Sequence, residues 1–121
     1  MKYLDKGELL ARLRNGKLVE QWLSADKVKD YVVLKWLWIQ KQRTGEYTLG
    51  YVECFDDGNE GFTDVYAFST LDPDEPYIEN TFDDADDAIE FAISNYRASE
   101  TKFVASGMIQ DEYKDYLKTR L

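Results

Sequence analysis

Four aspartates, Asp83, Asp84, Asp86 and Asp87, fall within five positions of TFDDADDAIEF, residues 81–91. Carboxylates at that density have two chemical uses: oxygen ligation of a hard cation, or an electrostatic surface for a basic partner. They also have a structural one. Ala85, Ala88, Ile89, Ala92, Ile93 and Tyr96 recur at spacings of three and four, which makes one apolar helix face. Asp83 or Asp84 then falls at the N-cap, where a carboxylate accepts from free backbone N–H groups. Its neighbours meet the positive end of the helix dipole, each worth about 0.3–1 kcal/mol near the surface. As cation ligands the four are poorly placed, because Asp83 and Asp87 share a face but further ligands would have to come from elsewhere. The run is read as a helix start, with Asp86 and Asp87 left to meet a partner and no metal bound.

The second acidic run, DDGNEG at residues 56–61, fails the calcium-loop template. Counting from Asp56, position 3 is Gly58 and position 12 is Ala67, where oxygen ligands are required. A tight turn between strands is the better account. The third run, LDPDEPY at 71–77, contains both prolines of the chain and is its clearest loop. Its Asp72, Asp74, Glu75 and Tyr77 are candidates for a partner-binding surface.

Covalent and acid–base chemistry finds little to work with. The chain has no histidine, so no Ser/His or Cys/His pair and no ordinary zinc site can be assembled. Cys54, the one cysteine, has Glu53 and Asp56 near it in sequence, which would raise its pKa rather than activate it. Two carboxylates suffice for a glycosidase, and the chain has 24, but no pair stands out. No glycine-rich turn from strand to helix offers a phosphate cradle. The expectation is a protein without enzymatic activity and without a cofactor.

Charge is distributed unevenly. The net value is −9, with +5 over residues 1–45, −15 over residues 46–100 and +1 over the remainder. The acidic segment repels phosphate and anionic lipid and attracts basic surfaces. Trp22, Tyr31, Trp36 and Trp38 lie in the basic third, the arrangement that holds single-stranded nucleic acid by stacking. They also lie on the apolar runs that must build the core, and core is the reading taken. The expected partner is a basic protein surface or the basic region of another copy, with no nucleic acid and no membrane. The first residues, MKYLDKGELLARLRNG, lack the apolar run of a signal peptide, and the longest apolar cluster is nine residues where a bilayer needs about 20. With a lone cysteine, a cytoplasmic setting is expected.

These residues need a scaffold, and 121 residues make a single domain, 1–121. DKGELLARLR (5–14) places Leu9, Leu10 and Leu13 on one side, and Asn15-Gly16 supplies a helix stop. Leu18, Val19, Trp22 and Leu23 predict a second short helix. EYTLGYVECF (46–55) and FTDVYAFST (62–70) predict strands. YVVLKWLWIQK (31–41) fits either a helix, with Val28, Val32, Trp36 and Ile39 on one face, or a strand, and its β-branched and aromatic density favours the third strand. A helix over 84–96, a short extended KFVA (102–105) and a last helix over 108–119 complete the chain. The class is α+β: a small antiparallel three-stranded meander, with KFVA as a fourth short strand, and N- and C-terminal helices packed on one face. The function expected is a non-enzymatic acidic protein-interaction domain of the inhibitor or immunity type, binding a basic partner. The alternative is a small-ligand domain or weak enzyme with an aromatic pocket between sheet and helices, lined by Tyr47, Tyr51 or Tyr66.

Overall fold

The computed structural model describes residues 3–120. Elements follow in the order α1 (Lys6–Arg14), β1 (Val19–Val28), β2 (Tyr31–Lys41), β3 (Tyr47–Phe55), a 3-10 turn (Val65–Ala67), β4 (Ile78–Phe82), α2 (Ala85–Tyr96), β5 (Val104–Ala105) and α3 (Ile109–Thr119). The α+β class holds, and the sheet is larger than expected: five antiparallel strands in the order β4-β3-β2-β1-β5.

The central strand explains its own sequence. Leu37 and Ile39 point to one face, where they join Val19, Tyr47 and Leu49 under Leu9 and Leu13 of α1 and Ala88, Ile89 and Ala92 of α2. Leu34 and Trp36 point to the other, where they join Val52, Cys54, Val65 and Phe68 under Ile109, Tyr113 and Leu117 of α3. A strand covered on both faces must be apolar at nearly every position, which is why VVLKWLWI shows no alternation. The expectation of helices on one face is thereby corrected. α1 and α2 cover the first face, and α3 covers part of the second. Burial of Leu9 and Leu13, each at most 1% exposed, contributes about 1.5–3 kcal/mol apiece.

Two further expectations are overturned. Residues 18–23 are the start of β1, not a helix: Val19 pairs with Ile39 and Trp22 with Trp36, and the register then slips between Trp22 and Ser24. A bulge takes up the extra Leu23, and this is how apolar residues at 19, 22 and 23 mimic helical spacing. Residues 62–70 are not a third meander strand. They touch the sheet through an isolated bridge of Cys54 with Thr70 and fold through the 3-10 turn, burying Val65 and Phe68 on the α3 face. Val65 and Phe68 plug that face, while Phe62 and Tyr66 stay exposed. β3 pairs on that side with β4, from Tyr47 opposite Phe82 to Tyr51 opposite Ile78.

Helix starts divide sharply. Asp5 accepts from the Glu8 N–H at 2.8 Å while Glu8 accepts from the Asp5 N–H at 3.2 Å, a complete capping box. Asp84 occupies the N-cap of α2 with extended backbone but makes no side-chain capping bond. The expected cap is thus present by position and absent as a hydrogen bond, leaving Asp86 and Asp87 to interact with the helix dipole alone.

Candidate partner-binding site

The register of β4 on β3 determines where the acidic residues go. The 71–77 loop enters β4 beside Tyr51, and α2 leaves it beside Tyr47, at the opposite end. Five residues at a strand's rise separate the two ends by about 13 Å. Asp72, Asp74, Glu75 and Tyr77 are therefore brought together at one end, while Asp86 and Asp87 lie at the other. They share a sheet edge and do not form one cluster. From residue 71 to residue 90 there are nine carboxylates and no lysine or arginine.

Local bonds close the exposed 71–77 loop. Asp72 accepts from the Asp74 N–H at 3.0 Å, a turn closed on itself, and its carbonyl accepts from the Thr70 hydroxyl at 3.2 Å. Asp86 has Arg14 at 4.0 Å with both groups well exposed, a pairing that contributes little. Tyr77 and Ile78 are 41% and 47% exposed in the midst of the carboxylates. Beside them a shallow hollow of about 150 Å³ is lined by Tyr51, Glu53, Asp72, Glu75, Tyr77 and Ile78.

The α3 face carries a second feature, an aromatic groove on the part that α3 leaves uncovered. The ladders align Glu20, Trp38, Gly50 and Glu79 in one row across four strands. The Trp38 indole lies across Gly50, where any Cβ would overlap it. Tyr77 meets Trp38 edge-on with centroids 5.7 Å apart, and Tyr66 meets Trp36 edge-on at 5.6 Å. Trp36, Trp38, Tyr66, Pro76 and Tyr77 together border an open hollow of about 270 Å³.

Glu20 holds the groove in shape. It is 1% exposed, and its Oε1 accepts from the Gly107 N–H at 3.0 Å and the Ile109 N–H at 3.2 Å, at the start of α3. Its Oε2 accepts from the Tyr66 hydroxyl. Burial raises the Glu20 pKa above its ordinary value, against the opposing effect of the Tyr66, Ile109 and Gly107 hydrogen bonds.

The remaining polar groups are structural in their contacts. Asp56 accepts from the Tyr113 and Tyr116 hydroxyls and from Arg120 at 2.9 Å, tying the end of α3 to the loop after β3. Asp57 accepts from the Ser69 N–H at 2.7 Å. Gly58 has no room for a Cβ, which would strike the Phe62 carbonyl and the Phe68 ring. The 56–61 run is therefore a loop anchor. Burial, reinforced by Asp57 and Asp56, pushes the Cys54 thiol up to about 12, with Trp36 opposing. Among the described residues no group of three or more carboxylates or thiols converges as a cation site, and no helix is long and apolar enough to cross a membrane.

The tyrosines singled out for a ligand pocket do not meet. Tyr47 is buried in the core, Tyr51 stacks on Tyr96 with centroids 4.2 Å apart and donates to Glu53 at 2.8 Å, and Tyr66 is on the opposite face. Of the basic-third aromatics, Trp36 is 5% exposed and Trp22 packs on Tyr113 and Tyr116, whereas Tyr31 is exposed against Phe55. Sequence reasoning missed Glu20, Trp38 and Tyr66 as a set. Gly50, inside an otherwise bulky strand, was the available signal of a close approach. Compared with protein-family models, curated proteins and solved structures, the chain matches none.

Proposed function

We propose that this chain is a non-enzymatic acidic protein-interaction domain, acting in the cytoplasm, that binds a basic partner protein along the β4 edge. One observation carries the reading: nine carboxylates follow one another from residue 71 to residue 90 with no basic residue among them, around the exposed Tyr77 and Ile78. Asp72, Asp74 and Glu75 would steer the encounter, Tyr77 would provide an apolar anchor, and Asp86 and Asp87 would extend the field toward α2. A phosphate backbone or an anionic lipid surface would be repelled by the same charges. Inhibitors and immunity proteins of basic enzymes work by this principle, and the likeness to them is one of size and charge.

The test is capture from the native cell by wild-type protein and by the Asp72→Asn/Asp74→Asn/Glu75→Gln variant. A basic protein retained at low salt by the first, released at high salt, and lost with the second is the expected result. Equal retention by both would refute the reading. Retention of the chain itself would make the partner a second copy.

A further inference from the structure

The acidic edge would attract a basic partner and Tyr77 would anchor it, and the groove beside Tyr77 offers a second hold. We propose that the groove on the α3 face is a cage for a single organic cation, the guanidinium or ammonium head of a partner side chain. The inference deepens the reading above and rests on it for the nature of the partner, but the groove has its own geometry.

Trp36, Trp38, Tyr66 and Tyr77 border the hollow and pack on one another in pairs. Trp38 is pressed across Gly50, with Tyr77 edge-on to it. Tyr66 is tied through its hydroxyl to Glu20 and packs against Trp36. The negative ring faces of Trp and Tyr attract a cation, Trp most strongly, and the attraction grows as water is excluded. Rings held before binding lose little freedom when the ligand enters, so the groove is preorganised.

Charge distinguishes a cation from a merely apolar ligand. Trp38 lies in one row between Glu20 and Glu79, and no lysine or arginine lines the hollow on either side of Trp36 and Trp38. Glu20 is sealed beneath Tyr66 and contributes field instead of contact. Glu79, exposed on β4, is the carboxylate a bound head would reach from the rim. A hollow of about 270 Å³ accommodates one side-chain head and not a folded element. The opening adjoins Tyr77, which belongs to the acidic loop as well, so one partner segment could engage loop and groove together.

The experiment titrates wild-type protein with Gly/Ser nonapeptides bearing one central residue: arginine, trimethyllysine or norleucine. The indole N–H resonances are followed by NMR. The arginine or the trimethyllysine peptide should shift the Trp38 signal and bind at least ten-fold more tightly than norleucine, and the stronger of the two identifies the preferred head. Tyr77→Ala, at an exposed position, should weaken that binding about ten-fold with the fold intact. Equal binding of the norleucine peptide, or cationic peptides that leave Trp38 unmoved, would overturn the proposal. The Asp72→Asn/Asp74→Asn/Glu75→Gln variant separates the two readings. It should keep the Trp38 response to the single-cation peptide and its preference over norleucine while losing the basic partner. Loss of the partner with no Trp38 response in wild type defeats the cage alone; a Trp38 response with the partner undiminished defeats the acidic edge alone.

Discussion

Glu20 is the buried carboxylate that ties β1 to the 3-10 turn and to the start of α3. It joins three elements through three hydrogen bonds, to Tyr66, Gly107 and Ile109. Because burial raises its folded-state pKa above 4.5, the native protein binds that proton more tightly than the unfolded chain does. The associated stability is fully present below 4.5 and is lost as pH rises through the raised value. A decline of stability across that window reports Glu20. Glu20→Gln keeps an acceptor for the backbone N–H groups and should abolish that decline, with little cost at neutral pH. Glu20→Ala leaves buried donors unsatisfied and should cost about 2 kcal/mol. Urea unfolding of the three proteins from pH 4.5 upward measures both effects, and a wild-type profile indistinguishable from that of Glu20→Gln would contradict the assignment.

At the scale of elements, the starts of α1 and α2 offer a direct comparison. Asp5 closes a capping box and Asp84 makes no capping bond, although the acidic run before α2 is far denser. Asp5→Ala should therefore cost about 1 kcal/mol, while Asp83→Ala with Asp84→Ala should cost only a few tenths from the dipole. Urea midpoints rank the two, and a reversed order would show that the aspartates of α2 do cap. Much of the scaffold was legible: α1, α2 and α3 follow from their apolar spacing, β3 from its residue types and flanking turns, and β2, whose spacing also fits a helix, only from its β-branched and aromatic density. The first hairpin was not. Its turn places Lys29 at φ 56°, a conformation that Gly or Asn ordinarily announces, and the bulge at Leu23 imitates helical periodicity. Residues 62–70 carry strand-like alternation, yet Val65 and Phe68 are drawn onto the sheet face beside α3. β4 was hidden because IENTF has only two apolar residues, as an exposed edge requires no more.

The candidate site was legible in part for the same reason. The 71–77 residues could be grouped from sequence because they are contiguous. The groove could not, since Glu20, Trp38, Gly50 and Glu79 become neighbours only through the register of four strands. An exposed edge strand invites pairing with other chains and is usually blunted by lysine, proline or a covering segment. β4 contains no lysine or proline and is flanked by acidic clusters at both ends. Those charges would oppose a second acidic edge and favour a basic one.

The whole molecule thus divides its labour. One sheet face is closed by α1 and α2, the other is shared between α3 and the groove, and the acidic edge runs along β4 between them. Electrostatic steering acts on the rate of encounter and fades as salt screens it over about 8–10 Å near physiological strength. The measurement that tests the account most directly is the association rate of the captured basic partner with wild type and with the Asp72→Asn/Asp74→Asn/Glu75→Gln variant, across a salt series. The account predicts association at least ten-fold slower for the variant at low salt, with the two rates converging as salt rises and dissociation little changed. Rates that coincide at every salt concentration would contradict it.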